Sequence, residues 1–245
     1  KDRLSDFYFM RQDDPDRAAD IIVDLVKNHI PRRFQLDPFD EIQVLSPMHK
    51  GTVGAANLNL RLQQALNPEG EALQRGERFY RLGDKVMQIK NNYQIEWEMR
   101  NNKGFTVDKG VGVFNGDMGI ITEINDYTEK ITVLFDETRE VQYPYASLDE
   151  LELAYAVTIH KSQGSEYPAV VMPILSGPRV LFHRNLLYTG VTRAKNCLTI
   201  VGDRNMLFSM IQNVNEQRRY TTLALRLDQI ANESEESGPM DDLGI

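Results

Sequence analysis

Apolar residues in the outer parts of the chain are spaced as in helices that alternate with buried strands. Short apolar runs predict strands at 6–10, 42–46, 153–159, 169–174 and 198–202. Apolar residues three and four positions apart predict a helix that starts at Asp14-Pro15 and stops at Pro31, and a second helix that ends at Asn67-Pro68. This alternation predicts one open α/β sheet built from about 1–82 and 151–231.

The middle of the chain, 83–150, has a different pattern. Apolar and polar residues alternate in short runs such as 119–124 and 131–135, separated by turn residues. A period of two predicts a small β-barrel carried on a loop of the surrounding domain. Within it, 94–110 places Trp97 and Phe105 among basic residues, which predicts a long hairpin or loop. Contact with nucleic acid and a solvated hairpin with its own aromatic cluster are both compatible with that composition.

Composition narrows the class of protein. One cysteine and the lack of any apolar run near the roughly 20 residues of a membrane span predict a cytoplasmic protein with no membrane partner. The net charge of −8 argues against a generally basic nucleic-acid coat. Five of the acidic residues lie in the tail, 232–245, which we expect to be disordered. The chain opens on Lys1 without a signal peptide, which indicates a piece of a longer protein.

Two polar segments carry the candidate chemistry. The segment 158–166 follows a predicted buried strand, and ligands bind at the carboxyl ends of strands in open parallel sheets. By composition alone it is equally compatible with a polar turn. The segment 186–195 predicts a helix on which Thr189 and Arg193 share a face. Arg193 is thereby either aimed at a ligand or an ordinary surface arginine.

Taken together, these segments resemble motifs V and VI of superfamily 1 helicases, in the strings AYAVTIHKSQGSEY and LLYTGVTRAK. QVLSPMHKGTVGAANLNLRLQ, from Gln43, resembles motif IV of the RecD-like subgroup. GDKVMQIKNNY and GVFNGDMG resemble the start of its SH3-like insertion. The chain is therefore similar to the second motor domain (2A) and SH3-like insertion (2B) of RecD-like DNA helicases, the group of the exodeoxyribonuclease V alpha subunit. It departs from them in a longer 94–109 segment and in Lys50, where we expect arginine.

The resemblance implies a fold and a set of roles. The α/β part would be a RecA-like parallel sheet with helices on both faces, and 83–150 would be an SH3-like β-barrel inserted in it. Arg193 would be the catalytic arginine at the γ-phosphate of ATP, with Gly164 and Glu166 near the nucleotide. Residues that would touch single-stranded DNA are Thr158, His160, Lys161 and Lys50. A satisfied polar cap is the alternative for His160.

The resemblance also implies the partners of an intact enzyme. It would use ATP and Mg²⁺, move 5′→3′, and pair this chain with an N-terminal phosphate-loop motor domain of the same protein. No G-x-x-x-x-G-K-[ST] sequence occurs here, so we expect the chain alone to be inactive and to hold no cofactor tightly. A different class of function is a non-catalytic module, in which the barrel binds nucleic acid or protein and the α/β part is a scaffold.

Metal chemistry has little support in the sequence. The run 131–135 followed by Asp136-Glu137 imitates a magnesium-holding strand, but it falls in the predicted barrel. Four scattered histidines and Cys197 alone do not make a ligand set. We therefore expect no metal site in this chain.

Overall fold

The computed structural model describes residues 6–76, 78–101, 103–178, 180–214 and 226–227. The chain divides into one unit from Lys1 to Val214 and another from Asn215 to Ile245, and the second is described only at its helical residues 226 and 227. The acidic tail, expected to be disordered, lies outside the described residues.

Five parallel strands form the first sheet. They are β1 (Phe7–Arg11), β2 (Ile42–Ser46), β12 (Ala156–Thr158), β13 (Tyr167–Ile174) and β14 (Ala194–Gly202). Their order across the sheet is β1-β14-β13-β2-β12. The predicted strand 153–159 is therefore shorter than expected: β12 has three residues and runs into a 3-10 turn, Ile159–Ser162.

Helices cover both faces of this sheet. They are α1 (Pro15–Asp24), α2 (Ile30–Phe34), α3 (Ala55–Leu66), α4 (Arg184–Val191) and α5 (Arg204–Gln212). Alternate residues of one strand enter opposite cores: Val44 packs with α1 and α3, whereas Leu45 packs with α4 and α5. The predicted α/β sheet with two covered faces is confirmed.

The predicted helix stop at Pro31 is wrong. The chain widens into a π-helical turn, Leu25–His29, in which the amide of Ile30 donates to the carbonyl of Leu25. Proline in a regular α-helix lacks a donor, and its ring clashes with the carbonyl four residues earlier. The wider turn accommodates the ring, so helical residues continue through α2 until Gln35, in the left-handed region, ends them.

Nine further strands lie between α3 and β12. They are β3 (Ala72–Arg75), β4 (Arg78–Arg81), β5 (Lys85–Gln88), β6 (Asn92–Arg100), β7 (Thr106–Val113), β8 (Met118–Asn125), β9 (Lys130–Phe135), β10 (Arg139–Pro144) and β11 (Leu151–Leu153). β3 and β4 pair as a hairpin, and the others form an antiparallel sheet in the order β11-β5-β8-β9-β10-β6-β7. β6 and β7 are the long hairpin expected at 94–110, with Phe105 exposed near its tip.

The antiparallel sheet has its own core, which includes Ile121, Val133 and Val141. Tyr80, from the β3-β4 hairpin, is buried in the same core, and its hydroxyl lies within hydrogen-bonding distance of the carbonyls of Leu148 and Leu151, at 3.0 and 2.8 Å. This core therefore draws side chains from both sides of 83–150. As domain limits, 83 and 150 stay a prediction.

A buried carboxylate joins the two sheets. Asp84 is fully buried and accepts hydrogen bonds from the side chains of Gln63, Asn67 and Tyr155, at 2.5, 2.9 and 2.9 Å. Burial raises the pKa of Asp84, and these hydrogen bonds oppose the rise. The three side-chain donors come from the α/β part, and the amide of Arg81 in β4 donates a fourth hydrogen bond at 2.6 Å, so this carboxylate fixes the start of β5 against both.

A buried lysine lies next to it. The Nζ of Lys85 donates to the carbonyl of Phe39 at 2.6 Å and to Oε1 of Gln43 at 3.1 Å. Burial lowers the pKa of Lys85 to about 8, although the carboxylates of Asp40 and Asp37 oppose this.

Among the described residues, no helix has the length and apolar character needed to cross a bilayer.

Candidate functional site

The segment 158–166 leads from the carboxyl ends of the parallel strands, here called the carboxyl edge, to their amino ends, here called the amino edge. Thr158 ends β12 and pairs in register with Ser46, at the carboxyl end of β2. The chain re-enters the sheet in β13, where Ala169 pairs with Ile42, four residues earlier on the same strand. The expectation that the whole segment lies at the carboxyl ends is therefore correct for Thr158 and wrong for Glu166, which lies at the amino end of β13.

Arg193 is held at that amino edge by its side chain. Its Nη1 donates to the carbonyl of Ser165 at 2.8 Å, its Nε to the carbonyl of Thr189 at 3.2 Å, and its Nη2 to Oγ1 of Thr192 at 3.2 Å. Arginine has five N–H donors, so two stay unengaged by the described residues. The half-buried guanidinium is thus fixed in direction with donors to spare, unlike an ordinary surface arginine.

Arg193 does not lie on a helix, which corrects the predicted helix over 186–195. α4 ends at Val191, Thr192 caps it, and β14 starts at Ala194. The carbonyl of Arg193 accepts a hydrogen bond from the amide of Tyr167 at 2.8 Å, so the backbone has already joined the strand ladder. The predicted proximity of Thr189 and Arg193 is confirmed by their hydrogen bond.

Gly164 and Glu166 flank the residue that holds Arg193. Gly164 has φ +89°, and a Cβ there would meet nothing within 4 Å, so glycine is required by conformation rather than by space. Glu166 lies 3.6 Å from Nζ of Lys195, and both side chains are about half exposed. An exposed pair at that distance contributes little to stability and leaves both groups available to a ligand.

The other DNA candidates lie at the carboxyl edge. Thr158 and Lys161 line a small cavity together with His49, which follows β2, and Glu152 of β11. The Nζ of Lys161 is 2.8 Å from Oε2 of Glu152, and both side chains are mostly buried.

Three further basic residues, His160, Lys50 and His49, lie at or after the carboxyl ends of the strands. His160 is exposed, and its imidazole makes no hydrogen bond to residues within the described ranges, so the polar-cap interpretation has no partner there. Lys50 is exposed in the loop after β2 and is not one of the residues that line the cavity. Sequence reasoning chose Lys50 and overlooked His49, although both follow the carboxyl end of a buried strand.

The run that imitates a magnesium-holding strand lies in the antiparallel sheet, as expected. Asp136 and Glu137 form the tight turn between β9 and β10, and Asp136 pairs with Arg139. Within the part of the chain that the structure describes, no three His, Cys, Asp or Glu side chains are grouped so that they could hold a metal ion.

Two family models match the chain. Residues 58–135 match the SH3 domain of ATP-dependent RecD-like DNA helicases, and residues 153–201 match the UvrD-like helicase C-terminal domain. The ATP-dependent RecD2 DNA helicase of Deinococcus radiodurans is 36% identical over 155 residues, which cover 63% of this chain and 19% of that protein. These matches support a fragment of a RecD-like superfamily 1 helicase.

Other relatives extend this likeness along the chain. An uncharacterized protein of Methanocaldococcus jannaschii, MJ1519, is 31% identical over 199 residues, 75% of this chain and 16% of that protein. The RecBCD subunit RecD of Buchnera aphidicola is 26% identical over 187 residues, 74% of this chain and 28% of that subunit. The chain thus spans less than a third of the length of these curated relatives.

Among solved structures, Pif1 helicase from Bacteroides, in complex with ADP-AlF3 and single-stranded DNA, aligns with 88% of this chain and 50% of its own. The TM-score is 0.47 and the sequence identity 19%. The RecD-like SH3 match runs from within α3 to the end of β9, and the UvrD-like match covers β12, β13, α4 and most of β14. The predicted fold, a RecA-like parallel sheet with an SH3-like insertion, is confirmed.

Proposed function

We propose that this chain is the C-terminal half of an ATP-dependent 5′→3′ DNA helicase. It supplies Arg193 to the γ-phosphate of ATP and part of the single-stranded DNA track. The observation that carries the proposal is the hydrogen bond between Arg193 and the carbonyl of Ser165, because it links the two helicase-like segments at one edge of the sheet.

The amino edge suits a phosphate. Guanidinium stays charged at all relevant pH values and can offer two parallel donors to phosphate oxygens. The three hydrogen bonds to Ser165, Thr189 and Thr192 fix the plane of the group before a ligand arrives. Such preorganisation is what stabilises charge that develops in a transition state. Gly164 and Glu166 flank Ser165, whose carbonyl holds this arginine, and this supports a role for both near the nucleotide.

The carboxyl edge suits a strand of DNA. Lys161 offers a cation and Thr158 a hydroxyl, the groups that contact the phosphates of nucleic acids. His49 and the exposed His160 and Lys50 add donors on the same side of the sheet. The DNA would thus lie at the opposite ends of the strands from the ATP, and the segment 159–166 connects the two places.

The remaining parts of the ATP site would come from the phosphate-loop motor domain of the same protein. That domain would hold the α- and β-phosphates and the Mg²⁺. When the two halves close on ATP, Arg193 would meet the γ-phosphate, and reopening would move the DNA-contacting edge by a step.

DNA-stimulated ATP hydrolysis and single-strand binding, measured side by side in the intact parent protein, test the separation of the two edges. Arg193→Ala should abolish most hydrolysis and leave strand binding nearly unchanged. Lys161→Ala should weaken strand binding and lower its salt slope by about 0.7, if the lysine neutralises one phosphate. Loss of both activities in both variants, with folding intact, would contradict two separate sites.

A further inference from the structure

A second cavity continues the proposed DNA edge toward the β3-β4 hairpin. It has a volume of about 290 Å³ and shares four lining residues with the cavity of Thr158 and Lys161. The shared residues are His49, Asn59, Glu152 and Leu153. Beyond them the lining becomes apolar, with Leu60 of α3 on one side and Phe79 of β4 on the other. The two cavities therefore form one groove that changes from polar to apolar along its length.

Phe79 is exposed but firmly placed. Its neighbour Tyr80 is buried in the barrel core, and alternation along β4 turns Phe79 outward. The carbonyl of Phe79 accepts a hydrogen bond from Nε2 of the buried Gln63 at 3.1 Å. Phe79 is 38% exposed and Leu60 is 53% exposed. An exposed aromatic ring on a backbone held in this way offers an open face for stacking.

The chemistry of the groove selects the part of a nucleotide that fits. Glu152 lines both cavities. In the polar one Lys161 offsets its charge at 2.8 Å, whereas in the apolar one His49 is the single basic residue among the described lining side chains, so a phosphate would be repelled there. Every nucleobase has a face that stacks on an aromatic ring, whatever the sequence. A strand whose phosphates meet Lys161 would therefore turn a neighbouring base toward Phe79.

We propose that Phe79 and Leu60 bind one base of the DNA strand, next to the nucleotide held by Thr158 and Lys161. This inference rests on the proposed single-strand track. This base seat lies on the hairpin that leads into the SH3-like barrel, so it would extend the track from the RecA-like sheet to the base of the insertion. It adds affinity without adding dependence on sequence.

The test uses the intact parent protein and single-stranded oligonucleotides in which one abasic position is moved along the strand. Phe79→Ala should weaken binding by about 5- to 150-fold, the usual cost of losing one base stack. The salt slope should not change, because no phosphate contact is lost. Phe79→Trp should retain affinity. Tyr127→Ala, which removes a ring that is 98% exposed in the β8-β9 turn, is the matched control and should bind normally.

The abasic series identifies the base. In the wild type, one abasic position should weaken binding, and in Phe79→Ala that same position should have no further effect. If Phe79→Ala binds like the wild type while Lys161→Ala binds weakly, the base seat is wrong and the DNA track stands. If Phe79→Ala lowers the melting temperature of the intact protein and leaves the abasic pattern unchanged, Phe79 packs against another part of the protein, and the proposal is overturned. If neither Phe79→Ala nor Lys161→Ala weakens binding, the proposed track itself fails.

Discussion

Single residues between the two sheets have unusual environments, and Lys85 is the clearest case. Its ammonium group is almost fully buried and bonded to two oxygens, yet burial lowers its pKa to about 8. A lysine in an unfolded chain has a pKa of about 10.4. Between these values the unfolded chain binds more protons than the folded one. The free energy of unfolding should therefore rise with pH across that window.

Lys85→Met isolates this contribution, since it keeps much of the apolar volume and removes the titrating group. Relative to the variant, the wild type should gain on the order of 2–3 kcal/mol of stability as the pH rises from about 8 to 10. Urea unfolding of both proteins at several pH values measures the difference. Parallel curves for the two proteins would mean that Lys85 keeps its ordinary pKa in the folded state.

Among the elements, the segment 159–166 connects the proposed DNA contacts with the proposed ATP contact. Its geometry depends on Gly164, whose φ of +89° an alanine can adopt only at a cost of about 1–2 kcal/mol. A shift of this backbone would move the carbonyl of Ser165 away from Arg193. Gly164→Ala should therefore slow ATP hydrolysis in the intact protein more than it weakens strand binding.

Gly104→Ala is the matched control. Gly104 has φ +81° at the tip of the β6-β7 hairpin, and a Cβ there would also meet nothing within 4 Å. Both variants impose a similar backbone penalty, but only one lies next to Arg193. Equal hydrolysis rates in the two variants would show that the position of the Ser165 carbonyl does not matter.

The spacing of apolar and turn residues predicted the elements whose limits depend only on residues close in sequence. β2 and the end of α3 at Asn67-Pro68 follow directly from an apolar run and from turn residues. The passage of α1 into α2 through Pro31 does not, because the π-helical turn that permits it is a change of hydrogen-bond register with no apolar signature. The end of α4 was also missed, because strand pairing between Tyr167 and Arg193, distant in sequence, overrides the helical spacing.

The candidate site was predictable to a similar extent. Thr158 and Lys161 were expected together and line one cavity. The position of Glu166 at the opposite edge could not be derived, because residue spacing does not reveal that a loop crosses a sheet. His49 lies in the same cavity through the pairing of β2 with β12, which no single segment encodes.

At the scale of the whole molecule, the insertion should be removable if its buried polar contacts stay. Ile89 donates its amide to the carbonyl of Glu150 at 2.8 Å, so the two ends of the barrel segment lie side by side. Replacing 90–148 by a short Gly-Ser linker keeps Asp84, Lys85 and Met87. The shortened protein should melt cooperatively, because closing a short loop between adjacent ends costs little.

Replacing 84–149 instead removes Asp84 and Lys85 and leaves the polar groups of Gln43, Gln63 and Tyr155 buried without those partners. Each such group costs about 1–3 kcal/mol. The longer replacement should therefore melt at a clearly lower temperature than the shorter one. Equal melting temperatures would show that the junction of the two sheets does not depend on these contacts.

In the proposed function, Arg193 would complete an ATP site shared with a second motor domain. Single-turnover ATP hydrolysis and nucleotide affinity, measured on the intact parent protein, test it most directly. Arg193→Ala should slow hydrolysis by about 10³- to 10⁵-fold with little change in affinity, because the arginine acts on charge that develops in the transition state. Arg193→Lys should restore little of the rate, since a point charge cannot reproduce the planar fork. Arg204→Ala, which removes an arginine stacked on Phe208 of α5, should hydrolyse ATP normally. A near-normal hydrolysis rate in Arg193→Ala would show that Arg193 does not act at the γ-phosphate.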